Sequence, residues 1–414
     1  MGEIAFPPAS ALLKERDYLR FWACRCASEF GAGVESITIG WQIYILARRG
    51  LGVEQSAFLV GMVGLASFAP LFLLALTAGE MADRHSRKAI LKLCFAVEIV
   101  VAAGLALASG FHVASIRLVL AAAVVFGAAR AFYSPANTAL GTMLVPRELL
   151  PRAIAWNSLA TKAAGIAGPA AGGLLVAVSP ALAYAVAAGL YGVSIAAMFL
   201  IRHPARPMPA SGSRLTLIKE GLVYIWEAKT VFGAISLDLF AVLLGGATAL
   251  LPVFARDVLH VGAVGFGILR GAPAVGAGAV AIFLASHPIR RWAGAIMFGG
   301  VAVFGAATLV FGLSNWLWLS VAALAIVGAA DMISVFVRAT LVQLATPDPM
   351  RGRVAAVSGL FISGSNELGE FESGVTARFL GPVGAAVLGG VGALIVTGLW
   401  AKLFPALRKA DRVS

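Results

Sequence analysis

Apolar runs of roughly 20 to 28 residues, broken by short polar stretches, recur along the chain from residue 20 to residue 404. Each is long enough to cross about 30 Å of hydrocarbon at about 1.5 Å of helical rise per residue. The runs fall near 20–46, 55–81, 89–111, 116–144, 152–178, 181–201, 229–255, 263–286, 292–313, 317–344, 353–378 and 382–404. They predict about twelve membrane helices joined by short loops, hence an all-α membrane protein. Between the sixth and seventh runs the pattern changes. Arg202 to Ser213 is a linker rich in Pro, Gly and Ser. Arg214 to Glu227, with Leu215, Ile218, Leu222, Ile225 and Trp226 at helical spacing, then predicts a short amphipathic helix lying at the membrane surface. The expected division is an N-terminal six-helix bundle over residues 1–201, a cytoplasmic linker with its helix over 202–228, and a C-terminal six-helix bundle over 229–414.

Composition agrees with that pattern. The 414 residues are 60% hydrophobic and 13% charged, with a mean hydropathy of +0.91. A soluble domain lies nearer about half apolar and about a quarter charged. The net charge of +12 would suit a nucleic-acid partner, but its placement does not. Loops assigned to one side, with both tails, collect 22 of the 32 Lys and Arg. The opposite loops hold Arg48, Arg49, Arg117, Arg256 and Arg378, and Arg25, Arg130, Lys162, Arg270 and Arg338 lie inside spans. That bias puts both termini in the cytoplasm of a multi-pass inner-membrane protein and makes lipid, not nucleic acid, its surroundings. Arg25, Glu29 and Glu35 do not suit the apolar core of a signal peptide, so the first span is read as retained. Cys24, Cys26 and Cys94 read as apolar filler. A P-loop lysine and the H-E-x-x-H pattern are both missing from the sequence, and the five histidines lack metal-ligand spacing. The expectation is a protein without cofactor or metal that is not an enzyme.

The halves repeat weakly at an offset of 201 residues. Gly127-Ala128-Ala129-Arg130 aligns with Gly328-Ala329-Ala330-Asp331, and Pro146 and Arg152 align with Pro347 and Arg353. Such symmetry is expected of two bundles related by an axis along the membrane normal and enclosing one path.

Gly79-Glu80-Met81-Ala82-Asp83-Arg84-His85-Ser86-Arg87-Lys88 breaks the apolar pattern most sharply. It reads as a tight cytoplasmic hairpin in which Gly79 lets helix ends approach and the charges stay in water or cap helix termini. The spelling G-x-x-x-D-R-x-x-R-K resembles the loop between the second and third helices of major facilitator superfamily transporters. Gly165-Ile166-Ala167-Gly168-Pro169-Ala170-Ala171-Gly172-Gly173 is similar to the glycine-proline motif of proton-antiporting exporters of that superfamily. Thr346 to Val354 resembles the loop after helix ten in the enterobactin exporter group, and Asn366 to Gly374 a bacterial branch close to it, the transmembrane secretion effectors. Two stretches depart from the pattern. Ala285 to Arg291, after span eight, lacks the Asp-Arg pair, and Ala164 stands where the antiporter motif often has glycine. The resemblance implies the major facilitator fold and export. It also implies a gate built from Gly79, Asp83, Arg84, Arg87 and Lys88 with Gly168, Pro169, Gly172 and Gly173, in which Asp83 meets the start of helix eleven near Arg351 to Arg353. Packing explains the span-five glycines and Pro169 equally well.

Ionisable groups at membrane depth are costly and therefore functional candidates. Helical rise puts Glu35 about 22 Å and Arg130 about 24 Å from the cytoplasmic side, with Glu29 and Asn137 both about 13 Å in. Glu35 and Arg130 thus match in depth, on helices one and four, which line the central cavity of related exporters. A carboxylate facing an arginine there suits proton coupling or substrate binding. Glu29 with Arg25, at i and i+4, reads as a local pair near the interface. In the second half Asp331 and Arg270 match near the midplane, and Asp238 and Arg338 match at about 12–14 Å, where they read as a structural tie. For Asp331 both a structural and a functional role stay open. Glu367, near the midplane, is a candidate for the proton-coupling or substrate cavity, and with Glu370 and Glu372 further out it equally reads as a group contacting loop and helix ends that set the gate. Lys162 reads as snorkelling to water. Trp41, Tyr44, Phe132, Tyr133 and Phe361 suit an apolar cargo site or ordinary helix packing equally. The expectation is a monomeric secondary active transporter exporting a small amphiphilic molecule, siderophore-like or a drug, in exchange for protons by alternating access. A lipid-like molecule flippase, a metabolite importer and a non-transporting sensor are the alternatives.

Overall fold

The computed structural model describes residues 9–202, 214–287, 289, 291–347 and 350–410, and among them the regular elements are helical. In order they are α1 (Arg16–Ala47), α2 (Val53–Arg84), α3 (Arg87–Gly110), α4 (Ile116–Met143), α5 (Leu150–Val178), α6 (Pro180–Leu200), α7 (Arg214–Glu227) and α8 (Lys229–Leu244). They continue with α9 (Leu251–Val253), α10 (Gly262–Ser286), α11 (Ala293–Leu313), α12 (Leu317–Ala345), α13 (Arg351–Leu403) and α14 (Pro405–Arg408). A 3-10 turn at Ala247–Leu250 and a π turn at Phe254–Val258 flank α9, so that Lys229–Val258 forms one broken membrane span.

Ten helical stretches among the described residues are long and apolar enough to cross a membrane. Two physical facts separate that number from twelve apolar runs. α13 is 53 residues long and covers the last two runs, which are divided at Gly381, in a left-handed conformation at φ 72°, followed by Pro382. α1 has 32 residues, enough length to cross, but carries Arg25, Glu29 and Glu35.

Local chemistry sets the ends. Ser179 Oγ accepts from the Leu182 N–H at 3.1 Å, with Pro180 in the first turn, so α5 stops and α6 starts within one residue. Ser115 Oγ accepts from the Leu118 N–H at 3.3 Å and starts α4. The hairpin expected at Gly79 is displaced. α2 runs on to Arg84 and the turn is His85-Ser86, which leaves Gly79 buried inside the helix. Charged residues with good helix propensity extend a membrane helix into water without penalty, and the apolar pattern cannot see that extension.

The described chain forms two compact units: Met1–Ile39 with Ala69–Ser211, and Gly40–Phe68 with Gly212–Ser414. In the first unit α3 packs on α4 and α6. Leu93, Val100 and Leu107, seven residues apart, form the outward stripe of α3, whereas Cys94, Phe95, Glu98 and Ala102 are buried. α1 and α5 meet at glycines. A Cβ on Gly33 would lie 2.8 Å from Pro169 Cδ, and one on Gly168 would lie 2.9 Å from the Phe30 carbonyl oxygen.

In the second unit α12 packs on α10 and α11, and α13 on α8 and α11, around Leu237, Met297, Val301, Val337, Leu341 and Val396. The first half of α2 belongs to this unit through Gly61 and Gly374. A Cβ on Gly61 would lie 2.7 Å from Gly374 Cα. α7 spans the residues expected for the amphipathic helix. It does not lie free: Ile225 is buried with Val231, Ile235, Val354 and Val357, and Tyr224 Oη donates to the Ala345 carbonyl at 2.6 Å. Trp226, Leu222 and Val223 face outward. Most of the linker, residues 203–213, lies outside the described residues, as do the side chains of Leu215 and Ile218.

Candidate functional site

Two ion pairs, one in each unit, hold four of the charges that the sequence places at membrane depth; the first is part-buried and the second buried. In the first, Arg130 Nη2 of α4 donates to Glu29 Oε2 of α1 at 2.9 Å. The guanidinium lies over the Tyr133 ring, 4.3 Å from its centroid, and Ser28 Oγ and Tyr133 Oη are 2.8 Å apart. Glu35 does not meet Arg130 as its depth suggested. Its Oε2 accepts from Tyr191 Oη of α6 at 2.7 Å, and the residue is wholly buried. Depth fixed the level of each acid and left its bearing open. Six residues separate Glu29 from Glu35, which turns one about 240° from the other around the helix axis. Only one of them can face α4. The local Glu29–Arg25 pair is likewise replaced: Arg25 donates to Thr161 Oγ1 of α5 through Nε at 3.1 Å and Nη2 at 2.9 Å. Asn137 is buried in α4, two turns from Arg130. The side chain of Lys162 lies outside the described residues.

In the second unit Arg338 of α12 donates to Asp238 of α8, the pairing expected from depth, with side chains only 5% and 6% exposed. Asp331 joins this group. With Asp238, Val242, Phe304, Ala330 and Ser334 it lines a small pocket. Arg270 Nη1 donates to the Thr248 carbonyl at 3.4 Å and lies within electrostatic reach of Glu367 and Glu370 of α13. Glu372 Oε1 accepts from Thr376 Oγ1 at 2.7 Å. Trp41 stacks on Phe266 at 5.0 Å, and Phe361 packs beside Val354 and Val357.

The gate residues occupy the α2–α3 turn and the α1–α5 contact. Arg84 pairs with Glu80 at 2.6 Å on an exposed face, and Asp83 is half-buried. Arg87 is buried at the start of α3, and Lys88 Nζ donates to the Ile201 carbonyl at 2.5 Å, tying α3 to the end of α6. Gly168, Gly172 and Gly173 are buried in α5, with Pro169 half-buried inside the helix. A Cβ on Gly172 would lie 3.0 Å from Val34 Cα of α1.

Two polar groups escaped the sequence reading. Glu98 of α3 is fully buried within electrostatic reach of Arg130, and it is the one acid within the run 89–111. The rule that singled out Glu35 singles it out too. Asp257, in the π turn, accepts from Tyr44 Oη at 2.5 Å and from Arg48 Nη2 at 3.0 Å. Arg48 and Arg256 read as loop charges, and nothing in their spacing announces that cluster.

Comparison with known proteins fits this architecture. Enterobactin exporter EntS of Citrobacter koseri is 26% identical over 350 residues, covering 83% of this chain and 81% of that protein. EntS of Escherichia coli O127:H6 is 27% identical over 352 residues with the same coverage. Among solved structures, a bacterial homolog to the human lysosomal transporter Spinster, in an inward-facing and unoccupied conformation, superposes with a TM-score of 0.71 at 16% identity, covering 95% of this chain and 96% of that one. A D-xylose-proton symporter gives 0.71 at 12% identity over 94% and 98%. These likenesses identify the fold as that of major facilitator transporters. A family model described as transmembrane secretion effector matches residues 8–414. A helical multi-pass chain matched by that model almost from end to end, with charged pairs sunk among its spans, belongs to the transmembrane secretion effector family and is a membrane transporter, not an enzyme.

Proposed function

We propose that this protein is a monomeric, proton-coupled exporter of a small amphiphilic molecule, siderophore-like or a drug, in the bacterial inner membrane. Both termini lie in the cytoplasm, and two six-helix halves, residues 1–201 and 229–414, give alternating access. The observation that carries this reading is the Glu29–Arg130 ion pair on α1 and α4, with Glu35 about one and two-thirds turns further along α1. Carboxylates within electrostatic reach of one guanidinium change their charge balance when a proton arrives, and a changed balance changes which helices attract each other. Glu29, Glu35 and Arg130 carry the coupling, with Asn137 beside them on the cargo path. Asp331 and Glu367, with Arg270, complete the polar lining of the C-terminal half, and Asp238 with Arg338 ties that half together. The known export by relatives named enterobactin exporter favours an outward direction and a cargo of amphiphilic metabolite type.

Flux in proteoliposomes under an imposed pH gradient tests the reading. Proton-dependent cargo movement supports exchange. Movement indifferent to the gradient points to a flippase, and no movement of any amphiphilic cargo points to a sensor. Asp83, with Gly79, Arg84, Arg87 and Lys88, forms the cytoplasmic latch, and Gly168, Pro169, Gly172 and Gly173 hold the seal between α1 and α5. Asp83→Asn is expected to abolish flux while leaving membrane insertion intact; normal export by that variant would remove the latch from the mechanism.

A further inference from the structure

The Glu29–Arg130 pair is incomplete, and what it lacks lies next to it. Arg130 Nη1 is buried and has no hydrogen-bond partner among the described residues. Both carboxylate oxygens of Glu98 are buried without a partner as well, and Glu98 is within electrostatic reach of Arg130 and Glu29. A spare donor on the cation and spare acceptors on a neighbouring acid are complementary. A guanidinium has five N–H donors in a fixed fork and can turn from one carboxylate to another.

Charge makes the arrangement more specific. Within electrostatic reach of Glu98 are Arg130 from α4, Tyr191 from α6, Glu29, Glu35 and Cys24 from α1, and Cys94 on its own helix. Arg130 is the one cation of this set, and Glu29 already holds it. An ionised Glu98, with no donor and no cation of its own, would be a bare charge outside water, which is strongly disfavoured. The neutral acid needs no counter-ion. It still has one O–H to donate and is satisfied by a single acceptor or a bridging water.

Resting on the proton-coupled reading above, we infer that Glu98 is a second proton-binding carboxylate, holding its proton while Arg130 is paired with Glu29 and releasing it when Arg130 turns to α3. The exchange balances: the O–H bond on Glu98 breaks, one forms on Glu29, Arg130 stays a cation and the cluster keeps its net charge. Glu29, whose side chain is 16% exposed, is the member that then trades the proton with water. Glu98 is fully enclosed and exchanges only through it. Because α3 carries Glu98 and α1 carries Glu29, the position of the proton decides which of the two helices the arginine of α4 holds.

Infrared titration of the full-length protein in lipid reads this directly through the carbonyl band of protonated carboxyls at neutral pH. Glu98→Gln, which keeps the shape of the neutral acid, is expected to remove one carboxyl's worth of that band. Glu29→Gln is expected to remove the same component although Glu98 is still present, because Arg130 then has Glu98 as its one free anion and holds it ionised. The double variant should remove no more than either single. If Glu98→Gln is not recovered folded, Glu29→Gln against the native protein decides alone. A band that survives Glu29→Gln, or that Glu98→Gln leaves unchanged, overturns the inference. Cargo flux is a separate readout: gradient-independent flux with the infrared result intact would discard the exchanger reading and leave the proton site standing.

Discussion

The two units bury the same chemical pair in two different ways. Glu29 and Asp238 both lie on the first membrane helix of their half, and each binds an arginine on the fourth. The arginine has moved between the halves. At the offset of 201 residues Arg130 corresponds to Asp331, and Asn137 to Arg338, so the cation stands two helical turns further along in the C-terminal half. There Asp238 and Arg338 are almost fully enclosed, and among the described residues neither leaves a buried atom without a partner, although Ser334 Oγ in the same pocket does. In the N-terminal half the pair is more open, at 20% and 16%, and Arg130, Glu98 and Glu35 each keep at least one unmet polar atom. A closed pair can only be made or broken. A pair with spare donors and acceptors around it can re-partner without either member being stranded, as a transport cycle requires. Under the proposed exchange mechanism, the tie falls to the C-terminal half and the moving part to the N-terminal half.

The sharpest way to break that assignment is at the arginines. Arg130→Met is expected to reduce proton-driven flux to the level of empty vesicles. It should also cost about 3–5 kcal/mol, read as a lower unfolding temperature, because Glu29 is left without its cation. The double variant Glu29→Gln/Arg130→Met should recover the unfolding temperature and none of the flux. Arg338→Met should cost a similar about 3–5 kcal/mol, but Asp238→Asn/Arg338→Met should recover both the stability and most of the flux, since a neutral, well-filled contact replaces a tie adequately. Flux lost in the second double variant and kept in the first would reverse the roles of the two halves.

The fold was legible because in lipid each backbone group must be satisfied within its own helix, so length and hydropathy nearly determine the elements. Arg214 to Glu227 was read to the residue, and the division at Gly381-Pro382 fell between two predicted spans. The site was legible only in depth. Rise per residue is a fixed quantity, and it brought Asp238 to Arg338 correctly. The bearing of a side chain around its helix depends on which neighbour the helix packs against, and that contact is tertiary. Glu35 turned to Tyr191 for this reason, and Arg25 to Thr161. Glu98 was missed for a different cause. Residues 89–111 form an apolar run by length and hydropathy, in which Glu98 stands on the same face as Cys94 and Ala102.

A third pair extends the comparison to its exposed limit and gives the smallest expected effect. Arg84 and Glu80, at i and i+4 on the last turns of α2, are 73% and 57% exposed with a separation of 2.6 Å, no longer than that of the part-buried N-terminal pair. Distance alone would rank them together. Water screens the exposed charges, and holding two long side chains in one geometry costs entropy that offsets most of the attraction. Arg84→Ala is therefore expected to change stability by no more than about 0.5 kcal/mol, a shift in unfolding temperature that should vanish in high salt. Arg84 also belongs to the proposed latch, so the same variant separates two effects. A fall in flux at unchanged unfolding temperature assigns its work to gating, whereas a large salt-independent drop in stability would mean that burial does not grade these three pairs and that the contrast between the halves rests on something else.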